Sequence, residues 1–490
     1  MGPSAFTQRK GPPFLADPVD TLYSKYRWDV MLGGHVPGLS LNPSSGSRPR
    51  RDHASGLTLR QGSRQGWDGI VIGRLTRRLV GALSKGLGRL GLGKVPDPRS
   101  AARVRLPLPL VLRTVMLGLV TGAKSLADTE VTSSRVSAAA RQKLGLRGRI
   151  ADTTMRDLLV ALEPAAIRAC LHEQVRAAHR QKAIAPYDFP WGVVSMDGKA
   201  TAILAWDDRF AQKQAQGGTA RGLVRTVTSL LVTSGAKVCL DACPIAPSTN
   251  EDGQFIAALD DLIAAYGGLD LFRMVTYDSG ACSLANATAV RERHLHYLFR
   301  LDGKQPTLFQ EARRLMGHLE NQDADASTEE RTGRGSERRY VFISKEMAGF
   351  HDWKHLATVI LVRRVITTAH GQSTADDRYY LSSLAADRLS AAQWLKLTRL
   401  RWAVENEGHH TFDTVFAEDE RPWVVANPSG MLVVLLLRRM AYNLVALFRA
   451  VTQRSDDNRR TPWARLIGDW GHALTTATHS QLLGLPPSPG

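Results

Sequence analysis

Three carboxylates carry the chemistry legible in this chain. Asp197 ends the apolar run of WGVVSMDGK, Asp278 ends that of FRMVTYDSG, and Glu405 lies in RWAVENEGHHTFDTVFAED, residues 401–419. Trp191, Val193 and Val194 before the first, and Met274, Val275 and Tyr277 before the second, have strand character. Each aspartate is therefore expected at a strand end, with a glycine just beyond it. Glu405 instead sits on a segment of helical period. Two strand-end aspartates and one helix-borne glutamate make an all-oxygen pocket for hard divalent cations, and such a pocket suits phosphodiester chemistry. Alone, each is most simply a surface carboxylate; the joint pattern carries the weight.

Polar neighbours complete the candidate site. Lys199 and Arg401 are placed to neutralise phosphates near the cations. His409, four residues after Glu405, shares its helical face, where it can orient a carboxylate, touch a nucleic acid, or simply pack. Asn406 and Asp413 are candidates for orienting the ligands from outside. Trp394, Trp402 and Trp423 could stack on an extruded base, but read first as core.

The elements that must position these groups fall in blocks. Residues 1 to about 65 are rich in Gly, Pro, Ser and Arg and read as irregular. Residues 66–94 turn helical and basic, with many glycines, and residues 1–105 together form a basic, partly disordered extension. Residues 106–182 show helical period throughout and form a helical N-terminal module, a candidate for DNA contact. From 183 to 320 strands alternate with helices in the order β-β-β-α-β-α-β, including a hairpin over 225–245 turning at Ser234–Gly235, which predicts a mixed sheet flanked by helices. Residues 321–388 read as a β-rich insertion, 389–455 as helices bearing the glutamate, and 456–490 as a tail. The fold class is α/β.

The 490 residues carry a formal net charge of +18, and the first 150 hold 25 Lys+Arg against 8 Asp+Glu, leaving the remainder nearly neutral. That asymmetry points to a polyanion, since each neutralised phosphate releases a counterion. No run approaches the ~20 apolar residues that span a bilayer; 106–123 is broken by Arg113, and 431–440 ends in two arginines. Both read as buried helices, and no membrane partner is expected. Cys170, Cys239, Cys243 and Cys282 form neither a disulfide framework nor a zinc spacing and read as small buried apolar groups, which fits a reducing cytoplasm.

These residues, in order, resemble the DDE transposases of bacterial insertion sequences, H-repeat-associated type, over about 106–450. MDGKATA (196–202) resembles the first-aspartate motif and VTYDSGACS (275–283) the second. STNEDGQFIAALDDL (248–262) resembles a segment carrying Asn-Glu ahead of a helix, and YLFRLDGKQPTLF (297–309) a strand-turn element. The segment around Glu405 matches a Trp-x-Ile-Glu-Asn signature at Trp402, Glu405, Asn406, His409, Asp413, Phe416, Glu418 and Asp419. The chain departs from the wider superfamily where Thr398 stands for a tyrosine and Phe412 for a lysine.

The resemblance implies an RNase H-like catalytic sheet, with Asp197, Asp278 and Glu405 as catalytic residues and ligands of two Mg²⁺ ions, for which Mn²⁺ can substitute. It implies DNA partners (transposon ends and target), with Lys199, Arg401 and His409 as contacts. It also implies a homodimer in the synaptic complex and a cytoplasmic place on the nucleoid. The activity implied is hydrolysis at transposon ends and joining of the 3′-hydroxyl to target DNA. Two alternatives stay open: a domesticated DNA-binding protein, and a nuclease without strand transfer.

Overall fold

The structure is a computed structural model and describes residues 62–216, 219–333, 335–453 and 455–485. The irregular stretch expected before residue 62 lies outside the described residues. The described residues belong to a single unit.

Helix α1 spans Gly62–Gly88. Leu79, Val80, Leu83 and Leu87 are buried at helical spacing, while Arg74, Arg77, Lys85 and Arg89 are exposed. The basic segment is thus not loose up to residue 105: its apolar stripe continues the main helical core. Tertiary packing supplies the stability that its glycines withhold. At Gly86 a Cβ would come 2.5 Å from Leu444 Cδ2, so the missing side chain is what lets the helices close.

Five helices come after it: α2 (Leu108–Val120), α3 (Leu126–Arg135), α4 (Ala138–Leu144), α5 (Asp152–Ala161) and α6 (Pro164–Arg180). Ser125 and Ser137 cap α3 and α4 by accepting from Asp128 N and Ala140 N. Asp152 is the first residue of α5 and suits the positive end of its dipole.

The sheet begins with β1 (Val193–Ile203), β2 (Ala211–Gln216), β3 (Thr219–Leu231) and β4 (Cys239–Pro244). Helix α7 (Glu251–Tyr266), β5 (Met274–Tyr277), α8 (Leu284–Glu292), β6 (His296–Leu301) and α9 (Pro306–Met316) come next. The inserted region supplies β7 (Ala326–Thr332), β8 (Gly335–Ser344), β9 (Thr358–Thr368) and β10 (Ser373–Ser382).

All ten strands join one mixed sheet, ordered β2-β3-β1-β5-β6-β10-β9-β8-β7, with β4 also on β3. β1, β5 and β6 run parallel, and the remaining pairs are antiparallel. Alternation splits β1 and β5 between two cores. Val193 and Met274 face one, and Val194, Met196, Val275 and Tyr277 face the other, with Phe255 and Leu259 of α7.

Helix α10 (Ala391–Leu400), a π-helical turn (Val404–His409) and α11 (His410–Thr414) precede the central helix α12 (Pro428–Leu447). Among the described residues, Pro428–Thr452 is long and apolar enough to cross a membrane, but 94% of its apolar window is buried inside the protein. Asn443 of α12 bonds both Cys239 N and O, fastening the helix to β4. Three short helices close the chain: α13 (Asp456–Arg459), α14 (Trp463–Thr476) and α15 (His479–Leu483). The segment expected as a tail therefore packs, with Trp470 Nε1 donating to Leu79 O at 3.0 Å.

Candidate active site

Strand register brings the two aspartates together. Ser195 of β1 pairs with Thr276 of β5, and Asp197 and Asp278 each lie two residues further along these parallel neighbours. Asp278 stands just past the end of β5. Asp197, in contrast, does not end its strand: β1 runs on to Ile203, and Asp197 pairs with Thr228 of β3. The reason is that β3 offers partners past the apolar run, so the antiparallel pairing continues beyond it.

Glu405 arrives on the π-helical turn. Ser195 Oγ donates to Arg401 O at 2.6 Å, which pins the start of that turn beside β1. π-Helical turns are rare, and many lie at functional sites. The charges report the convergence of the three groups. Burial, and then the charge of Asp278, push Asp197 up to about 7 despite Arg401. Burial and then Asp197 push Glu405 up to about 7 as well. Like carboxylates crowded in a partly dry site resist ionising together.

His409 Nδ1 lies 3.3 Å from Asp197 Oδ2. Burial, with Lys199 and Arg439 nearby, lowers its pKa to about 3, so the ring is neutral. It can orient Asp197 but does not neutralise it. Arg401 is 2% exposed, and its Nε and Nη2 have no hydrogen-bond partner among the described residues. Its guanidinium lies 4.1 Å from the centre of the Trp402 ring. The Thr228 hydroxyl opposite Asp197 is likewise buried and unpartnered among them.

Lys199, expected to face phosphate, turns inward. Its ammonium lies 2.8 Å from Asp413 Oδ1, 3.2 Å from Asp419 Oδ1 and 4.0 Å from Glu418 Oε1. Oxygens of those three acids lie within 4.8 Å of one another, a spacing that could hold a metal. Lys199 already supplies the cation there, so this cluster reads as an ion-pair network. Glu418 is also paired with the fully buried Arg439. Asp413 therefore holds Lys199, not a ligand of the carboxylate pocket. Asn406 is exposed and lines a separate cleft with Glu407, His410, Tyr442, Arg449 and Trp463. Trp394 is fully buried and donates to Ala386 O, as a core tryptophan does.

Sequence reasoning left Glu251 and Asp252 out of the site. They open α7 behind the aspartates. Burial followed by the charges of the neighbouring acids, Asp278 among them, raises both. The signal was present in STNED, where Asn250 caps α7 by accepting from Gly253 N at 2.9 Å.

The crowding makes stability depend on pH. Asp197 and Glu405 hold protons in the folded protein up to about 7, whereas the unfolded chain releases them in the ordinary carboxylate range. Their contribution to stability is therefore complete below that range and is lost as pH rises through 7. Melting of protein kept free of divalent cations should show a midpoint that falls between about pH 5 and about pH 8. Asp197→Asn should flatten that fall; an unchanged slope would mean the carboxyls are not crowded.

The chain is thus a mixed α/β protein that gathers three mutually repelling carboxylates from two neighbouring interior strands and an adjoining helical turn. No family model matches the chain. It is 24% identical over 338 residues to "Putative protein YbfL" of Escherichia coli (strain K12), spanning 66% of this chain and 82% of that protein. It is 23% identical over 343 residues to "H repeat-associated putative transposase YhhI" of the same organism, again over 66% and 82%. These distant likenesses support a transposase-like family.

Proposed function

We propose that the chain is a DDE transposase that cuts the DNA ends of its own element and joins the freed 3′-hydroxyl to target DNA, on an RNase H-like catalytic sheet. The observation that carries this reading is the convergence of Asp197, Asp278 and Glu405, with no Lys or Arg ion pair to any of them among the described residues. Such a set fits Mg²⁺, with Mn²⁺ as a substitute, because hard cations take carboxylate oxygens and relieve their repulsion. The orphaned Arg401 nitrogens and Thr228 hydroxyl beside the acids fit an anionic ligand as well.

In this reading Asp197, Asp278 and Glu405 would together hold the divalent cations, which would supply activation of the attacking oxygen and stabilisation of the leaving one. The chain's own residues do the positioning. His409 holds Asp197 in one orientation, Ser195 ties the Glu405 turn to β1, and Arg401 meets the charge of a phosphate brought among the carboxylates. Two copies would act together on paired ends.

The test is to incubate the full chain with its element's ends and Mg²⁺ and map the cut positions. Metal-dependent cuts at the element boundary are expected; intact ends under all metal conditions would overturn the reading.

DNA engagement makes a second prediction. The exposed Arg74, Lys85 and Arg89 lie on or just beyond α1, a firm support for phosphate contacts. Replacing all three by Ala should weaken DNA binding and reduce the slope of log affinity against log salt by roughly 2 to 3, about 0.9 per lost phosphate contact. An unaltered slope would remove this helix from the DNA surface.

A further inference from the structure

We infer that the groove between α1 and the end of α12 binds an anionic amphiphile of fatty-acid chemistry, one linear apolar chain ending in a carboxylate. The inference goes beyond the function proposed above and does not rest on it. The groove encloses about 370 Å³, within the ordinary size of a small-molecule pocket. Leu83 of α1, Leu444 and Leu447 of α12, and Phe448 and Val451 just beyond it form the apolar walls. Val451 is 50% exposed, a large apolar side chain left open to the groove. It lies on a second π-helical turn, Phe448–Thr452, and such turns recur at functional sites. The lining runs along α1 from Arg77 to Arg89, roughly 18 Å at the helical rise. That length leaves the volume a narrow cross-section, which suits a single chain better than a ring.

Charge selects the head group. Arg77, Arg78, Lys85 and Arg89 line the groove, and no acid does. None of the four makes an ion pair among the described residues. Arg78 Nη2 donates to Thr452 O at 2.9 Å and to Gln453 Oε1 at 3.0 Å, which ties α1 to the π-helical turn without neutralising the charge. An inorganic anion would leave the apolar walls wet, and an uncharged hydrocarbon would leave the four cations unanswered. A chain with a carboxylate end meets both demands. Gly81 marks the opening on the helix side. Gly86, five residues on, is explained by Leu444 standing against it, but a Cβ at Gly81 would meet nothing within 4 Å. Its backbone is not left-handed either. A glycine inside a helix weakens it, and here no close packing is gained in return; what the missing side chain supplies is the open groove.

The test titrates the full chain, without DNA, with laurate kept below its micellar concentration and follows the heat of binding. One laurate should bind per chain. Decanoate, two carbons shorter, should bind about 10-fold more weakly, near the loss expected for two buried methylenes. Dodecylammonium, with the same chain and the opposite charge, should not bind. Replacing Lys85 and Arg89 together by Ala should weaken laurate by about 5- to 10-fold, as loss of exposed charges does. Gly81→Leu should abolish laurate binding yet melt at or above the wild-type midpoint, since it fills the groove and favours the helix. Gly81→Ala, a smaller obstruction, should also melt higher and weaken laurate only in part. Laurate binding that survives Gly81→Leu in a folded chain, or equal binding of dodecylammonium, would overturn the inference. So would binding to phosphatidylglycerol vesicles with none to laurate, which would put the basic helix on a lipid surface instead.

Discussion

Glu405→Gln should lower strand cleavage by at least about 10³-fold while leaving folding and DNA binding intact. The substitution keeps size and helix propensity nearly constant and removes only the charge a metal ligand needs. Asp197→Asn and Asp278→Asn should behave alike. Double variants should be little worse than singles, because the three groups act as one unit. Glu407 is the matched control: two residues on, it is exposed and paired with Lys237, so Glu407→Gln should cut normally. An active Glu405→Gln beside a dead Glu407→Gln would move the third carboxylate; normal cutting by both would end the metal-pocket reading.

Glu418→Ala should destabilise the fold by about 3–5 kcal/mol, the usual result of stranding one member of a buried ion pair. Glu418 and Arg439 are both 0% exposed, and Arg439 Nη2 donates to Glu418 Oε1 at 3.0 Å. Burial alone would raise the Glu418 carboxyl, but Arg439 overrides it and holds the group below its ordinary range. Removing Glu418 leaves Arg439 charged, dry and beside Arg438, which is buried in the adjacent position of α12. Chemical denaturation measures the loss. The double variant Glu418→Leu/Arg439→Met should recover most of it, since the penalty is the orphaned charge and not the missing pair. A loss under about 1 kcal/mol for the single variant would mean the pair is not buried as described.

The site was legible where local patterns decide it. Asp278 follows four buried residues, and such a run with a polar stop reads as a strand end. The extent of β1 was not legible, because its continuation depends on pairing with Gly222–Val227 of β3, a partner no local window contains. β2, with the sequence AQKQAQ, has no strand preference of its own and exists because β3 is there to pair with it. Lys199 was assigned to phosphate for the same reason. Its partners Asp413 and Asp419 lie more than two hundred residues away, and only the fold places them at the ammonium. The helix over Gly62–Gly88 was underrated because propensity counts glycines and cannot see Leu444 waiting behind Gly86.

The inserted strands are not an appendage. β10 pairs with β6, and β9, β8 and β7 extend outward in the same hydrogen-bonded plate. Arg399, at the end of α10, pairs with Glu330 on β7, so the helix leading to Glu405 leans on the last strand of that plate. The two aspartates can meet once β1 and β5 have zipped together, but the glutamate follows five more strands in the chain. Long-range pairing of this kind is slow. Under the proposed function, a chain with only its first strands paired would hold two of the three acids, and an order of assembly of this kind would leave an unfinished molecule unable to cut DNA.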